Sequence, residues 1–218
     1  MPRTSNLIAE NKMDEFKTLI QKSYDFVLAL AMPLTVGLIF ISPSAILLLS
    51  GEGFASAILT SQIIAFNILT VSIAGVMGFQ VLYPMGRINT VIFCTFIGAI
   101  VNILMNVLLT PVYGHNGTAV AYMLAEVAVT FSMFILGRKY IPIQFFKKEH
   151  LHYIIGSVVM GIGLYFISNS QLDNIMMLTF MLLVGGLTYV GILVVLKDSV
   201  SKIIPVSYTH LRAHETKA

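Results

Sequence analysis

The chain has 218 residues, of which 57% are hydrophobic and 11% charged, with 13 Lys and Arg against 10 Asp and Glu and a net charge of +3. A soluble domain carries about 25% charged residues, so a water-soluble globular fold is excluded. A single cysteine excludes a disulfide framework or a thiolate metal cluster, and cations scattered over four segments exclude a concentrated nucleic-acid footprint.

Residues 1–23 come first and are amphipathic. Leu7, Ile8, Phe16, Leu19 and Ile20 alternate with Glu10, Lys12, Asp14, Glu15, Lys17 and Lys22, the pattern of a linker helix lying on a membrane surface. Six apolar stretches follow at about 24–42, 57–82, 90–110, 118–137, 151–168 and 174–196, each near the length of about 20 residues that crosses a bilayer. The first contains Pro33 and Gly37, a candidate hinge or a structural kink, since proline leaves a carbonyl that a neighbouring helix or water must satisfy. Asp25 at its start reads as a helix cap first and a gate second. The stretch is expected to end at Ser42-Pro43-Ser44, with Ala45 to Leu49 lying at the outer interface.

The second stretch carries Gln62 and Asn67, which either line a cavity or bond between helices. The third places Gly98, Asn102 and Asn106 four residues apart, hence on one face. Pro111, Gly114 and Gly117 form an outer turn, with glycine supplying positive φ. The fourth stretch carries Tyr122, Glu126 and Thr130. Glu126 is its acidic group, and a carboxyl inside a bilayer is either a coupling-ion or substrate contact or a hydrogen-bonded tie, to Asn102 or Asn106 for example. Residues 138–150 form a loop. The fifth and sixth stretches, within 151–196, carry glycines but few polar groups and read as peripheral. His150 and His152 read as interfacial.

The loops alternate in charge. Arg3, Lys12, Lys17, Lys22, Arg87, Arg138, Lys139, Lys147, Lys148, Lys197 and Lys202 fall on one side, and Glu52, His115 and Asp173 on the other. Lys/Arg bias marks the cytoplasmic side, which puts both ends inside. Residues 197–205 form a cytoplasmic end. Residues 206–218 fit no membrane pattern and resemble a translated sequencing adapter, so the chain is expected to be a fragment of a longer protein. No phosphate loop, Ser/His/Asp set, CxxC or HExxH is present, and an enzyme reading has no residues to rest on.

The run Asn102-x3-Asn106-x2-Leu109-x-Pro111-x2-Gly114-x2-Gly117-x-Ala119-x-Ala121-x3-Ala125-Glu126 resembles the helix-turn-helix of polysaccharide repeat-unit flippases, within the multidrug/oligosaccharidyl-lipid/polysaccharide exporter superfamily. Ala31-x-Pro33-x3-Gly37-Leu38, the turn from Leu48 to Phe54, and Tyr83-Pro84-Met85-Gly86-Arg87 resemble further parts of that family in order, over about residues 1–200. The resemblance implies an all-α polytopic fold whose six helices are the C-terminal part of a two-lobe transporter in a bacterial inner membrane. It implies flipping of an undecaprenyl-pyrophosphate-linked oligosaccharide, with the lipid tail in a groove. The implied partners are that lipid-linked oligosaccharide, membrane lipids and an N-terminal lobe. No cofactor is implied beyond possible proton or sodium coupling. The alternatives are a multidrug or lipid II exporter of the same superfamily, a polymerase or glycosyltransferase of the same pathway, or an inactive fragment. No Lys or Arg lies inside the six stretches, a departure from what a pyrophosphate site needs.

Overall fold

The computed structural model describes residues 2–170 and 172–196, so the expected cytoplasmic end (197–205) and adapter-like tail (206–218) lie outside the described residues. The described residues form helices joined by turns and loops, without a strand: α1 (Pro2–Ala9), α2 (Met13–Ser50), a short 3₁₀ turn (Glu52–Phe54), α3 (Ala57–Leu82), α4 (Ile88–Gly137), α5 (Lys148–Ser168) and α6 (Asn174–Val195). Helices α2 to α6 are each long and apolar enough to cross a bilayer.

Helix α4 makes two crossings. At 50 residues it would be about 75 Å long if straight. It bends at Gly114, whose φ of 56° and ψ of −135° leave the helical region. Its arms, 88–113 and 115–137, then run back along each other. The hydroxyls of Thr110 and Thr118 lie 3.0 Å apart, although eight residues of straight helix span about 12 Å. A Cβ on Gly98 would collide with the Val129 side chain, and one on Gly117 with the backbone of Leu109. Glycine is therefore required twice at this turn, for positive φ at Gly114 and for close approach at Gly117. The expected outer turn stands, with Pro111 inside the first arm rather than ending it.

Helix α2 departs from expectation at both ends. Its 38 residues run through Pro33 and Pro43 without a break, about 57 Å in all. The linker 1–23 is therefore α1, a turn at Asn11 (φ 57°), and the first turns of α2. Phe16 and Ile20, expected to face a membrane surface, are 0% exposed. They belong to a core with Val81 and Leu82 of α3 and with Ile141 and Ile143 of the loop between α4 and α5. Asp25, twelve residues into α2, is not a cap.

The prolines explain how α2 stays whole. Pro43 cannot donate to the Ile39 carbonyl, and Gln62 Nε2 of α3 donates to it instead at 3.0 Å. Pro33 frees the Ala29 carbonyl in the same way, and the Tyr189 hydroxyl of α6 donates to it at 2.6 Å. Where no water is at hand, such replacement is what a broken backbone ladder requires. Each proline thus fixes one neighbour: α3 near Pro43 and α6 near Pro33. Helix α2 is the hub, packed against α3, α5 and α6, while α3 also packs on α4 and α5 on α6.

Candidate functional site

Three features could carry function: a groove, a polar ladder in the α4 hairpin, and a carboxyl in its second arm. The groove, about 740 Å³, lies between α2 and α6 with α5 as its floor. Residues from Phe26 to Ile41 of α2 border it, about 22 Å of helix. Pro33, Gly37 and Leu38 form one wall, Gly185, Gly186 and Tyr189 the other, and Met160 and Leu164 the floor. None of its lining side chains is charged, and the single hydroxyl, Tyr189, is engaged with the Ala29 carbonyl. A Cβ on Gly37 or Gly186 would meet nothing within 4 Å, so the absent side chains are what leaves the space open. Such a lining suits a long hydrocarbon chain and offers nothing to an ion. The candidate hinge, Pro33 with Gly37, is thus part of a groove wall in an unbroken helix. Helices α5 and α6, expected to be peripheral, build the rest of the groove.

The ladder lies in the first arm of α4. Asn106 Nδ2 donates to the Asn102 carbonyl (3.0 Å) and to Asn102 Oδ1 (3.1 Å). The Thr110 hydroxyl donates to Asn106 Oδ1 at 2.9 Å and reaches Thr118 across the turn. The two asparagines share a face as expected, and their printed bonds run along their own helix. No hydrogen bond joins Asn102 or Asn106 to Glu126, whose half-buried side chain follows Tyr122 by one turn in the second arm.

Helix α3 meets that arm along a polar seam. Thr60 Oγ1 donates to Asn116 Oδ1 at 2.6 Å, and Thr130 Oγ1 donates to the Thr70 carbonyl at 3.1 Å. These bonds bracket Asn67 on α3 and Glu126 on α4, placing both at similar depth. Asn67 is 4% exposed, and neither of its amide atoms has a hydrogen-bond partner among the described residues. Gln62 faces α2, and its Nε2 serves the α2 backbone.

A fourth cluster was not legible as a unit. Asp25 Oδ1 accepts from Gln21 Nε2 (2.7 Å) and lies 2.9 Å from His150 Nε2, while Asp25 Oδ2 lies 3.2 Å from Lys147 Nζ. Helix α2 and the loop before α5 are thereby joined. Together with Arg87 stacked 4.3 Å over the Tyr140 ring, this gathers the cation-bearing loops at one end of the bundle. The opposite end joins His115 to the Ser56 carbonyl at 3.2 Å.

This helical order, with its hairpin and groove, matches known proteins. The family described as lipid II flippase MurJ matches residues 1–186. The chain belongs to that family. An uncharacterised membrane protein of Methanocaldococcus jannaschii is 25% identical over 197 residues, covering 85% of this chain and 38% of the relative. A lipid II flippase MurJ solved in an inward closed conformation shares the fold at a TM-score of 0.74 and 17% identity, covering 87% of this chain and 40% of that one. The chain thus spans about 40% of the length of these two proteins. That family is one of membrane flippases and not of enzymes, and five of the described helices are long and apolar enough to cross a membrane. The matching branch is the lipid II flippase weighed above as an alternative, and not the polysaccharide repeat-unit flippase that the Asn102-to-Glu126 run suggested.

Proposed function

We propose that the full-length protein moves a lipid-linked precursor of the lipid II class between membrane leaflets, and that this chain supplies the surface for its hydrocarbon tail. The family match over residues 1–186 carries the reading. The uncharged groove between α2 and α6 supports it, because a polyprenyl chain can lie there without stripping solvent from any charged group. The polar head must be held elsewhere. None of the groove-lining residues is cationic, so the groove itself offers no partner to a diphosphate. The cation-bearing end, with Arg3, Arg87, Lys139 and Lys147, faces the cytoplasm on the Lys/Arg rule. The membrane is then a bacterial inner membrane.

Proton or sodium coupling stays with the α4 hairpin. Asn102, Asn106, Thr110 and Thr118 converge their oxygens near the outer turn, and Glu126 with Tyr122 supplies the titratable group. Polysaccharide repeat units are the weaker substrate reading. Gln62, one of the candidate cavity residues, donates from its amide nitrogen to the α2 backbone. The test is transport of lipid II by full-length protein in vesicles, comparing wild type with Gly37→Leu and Gly186→Leu. A Cβ at either position meets nothing within 4 Å, and the expected result is lost transport in a protein that reaches the membrane in normal yield. Unimpaired transport by both would overturn the groove's role.

A further inference from the structure

The cluster around Asp25 holds more than a helix pair. Asp25 and Gln21 come from α2, and Lys147 and His150 from the loop and first turn that lead into α5. Gln21 also grips the loop backbone, accepting from the Gln144 N–H at 2.8 Å through Oε1 and donating to the Gln144 carbonyl at 3.4 Å. Phe145 packs edge-on against Tyr24 of α2 and Phe134 of α4, with ring centroids 5.5 and 5.1 Å apart. This loop joins the second arm of α4 to α5, the floor of the groove.

His150 occupies an ambivalent position. It is 5% exposed. Its Nε2 faces Asp25 Oδ1, while its Nδ1 lies between a donor, the Lys147 N–H at 3.3 Å, and an acceptor, the Phe145 carbonyl at 3.0 Å. One nitrogen cannot serve both. A neutral ring that donates from Nε2 accepts the Lys147 N–H and leaves the Phe145 carbonyl unpaired. A charged ring donates to Asp25 and to Phe145 at once, both bonds being charge-assisted and about twice as strong as neutral ones. Asp25 then bridges two cations, His150 and Lys147. The other groups around the ring are Tyr24 on α2 and Tyr153 on α5, with Lys148, Glu149 and His152 as its chain neighbours.

We infer that Asp25, Lys147 and His150 form a proton-sensitive latch that clamps the 138–147 loop onto α2 and so controls how firmly α5 is seated. Imidazole is the side chain whose ordinary titration falls between about pH 5 and 8. The charged ring makes the stronger set of bonds, so the clamp is tight on the acidic side and loosens as pH rises. This device does not depend on the transport reading.

Hydrogen–deuterium exchange of the full-length protein in lipid nanodiscs tests it. After correction for the intrinsic pH dependence of exchange, amides 144–150 should be about fivefold better protected at about pH 5.5 than at about pH 8. His150→Gln should abolish that difference, while Lys147→Gln, which leaves both imidazole contacts in place, should keep it. Amides of α6 serve as the folding control and should not change. An equal pH difference in His150→Gln, or none in wild type and Lys147→Gln, overturns the latch.

Discussion

The Tyr189→Phe substitution isolates one hydrogen bond at the centre of the α2–α6 contact. The ring and its packing remain, and only the hydroxyl that donates to the Ala29 carbonyl at 2.6 Å is lost. Pro33 leaves that carbonyl no partner in its own helix. The cost is then that of an unsatisfied buried acceptor, about 1–3 kcal/mol. Hydrogen bonds between membrane helices average about 0.6 kcal/mol with an upper end near 1.7. The carbonyl here has no alternative, so a value near 1.5 kcal/mol is expected. Pro33→Ala changes the arithmetic, because residue 33 regains an N–H for Ala29. Tyr189→Phe should then cost less than about 0.5 kcal/mol. The assay is a double-mutant cycle on thermal or denaturant unfolding in detergent, which reports a coupling near 1 kcal/mol. Equal costs in the two backgrounds would refute the claim that the tyrosine replaces the bond that Pro33 removes.

Asn67→Leu should stabilise the protein by about 1 kcal/mol, since both amide atoms are buried without a partner among the described residues and leucine keeps the γ-branched shape; a lower melting temperature would mean that the larger methyl groups overpack the seam or that the amide has a partner. Gly117→Ala should cost about 2 kcal/mol or more, because a Cβ would collide with the Leu109 backbone and force the arms of α4 apart; it is read by folded yield and melting temperature against Gly163→Ala, whose Cβ meets nothing within 4 Å. Glu126→Gln keeps the shape while removing the charge, and should lower lipid II transport without lowering membrane insertion; unchanged transport would reduce Glu126 to a structural tie.

The parts of the fold legible in the sequence were those set by local chemistry. Six crossings follow from apolar length, and the hairpin follows from Gly114 and Gly117, whose backbone demands no other residue meets cheaply. What escaped depends on partners far along the chain. Pro43 reads as a helix end, yet α2 continues because Gln62, nineteen residues later, takes over the carbonyl of Ile39. Asp25 reads as a cap while its helix start is unknown; once α2 begins at Met13, its partners are on α5. The groove was hidden by the habit of seeking sites among polar residues. Helices α5 and α6 looked peripheral because they lack them, whereas for a hydrocarbon ligand a pair of glycines in an apolar run is the informative signal. The motif from Asn102 to Glu126 encodes the hairpin more than the cargo. It therefore led to the right superfamily and to the neighbouring branch.

The most direct measurement sets two cargoes against each other. Full-length protein in sealed vesicles is given lipid II and, separately, a polyprenyl-diphosphate oligosaccharide of the repeat-unit kind, and inversion between leaflets is followed for each. Faster inversion of lipid II, lost in both groove-filling variants, is the predicted result. Preference for the repeat unit, or inversion of lipid II that ignores Gly37→Leu and Gly186→Leu, would contradict the account.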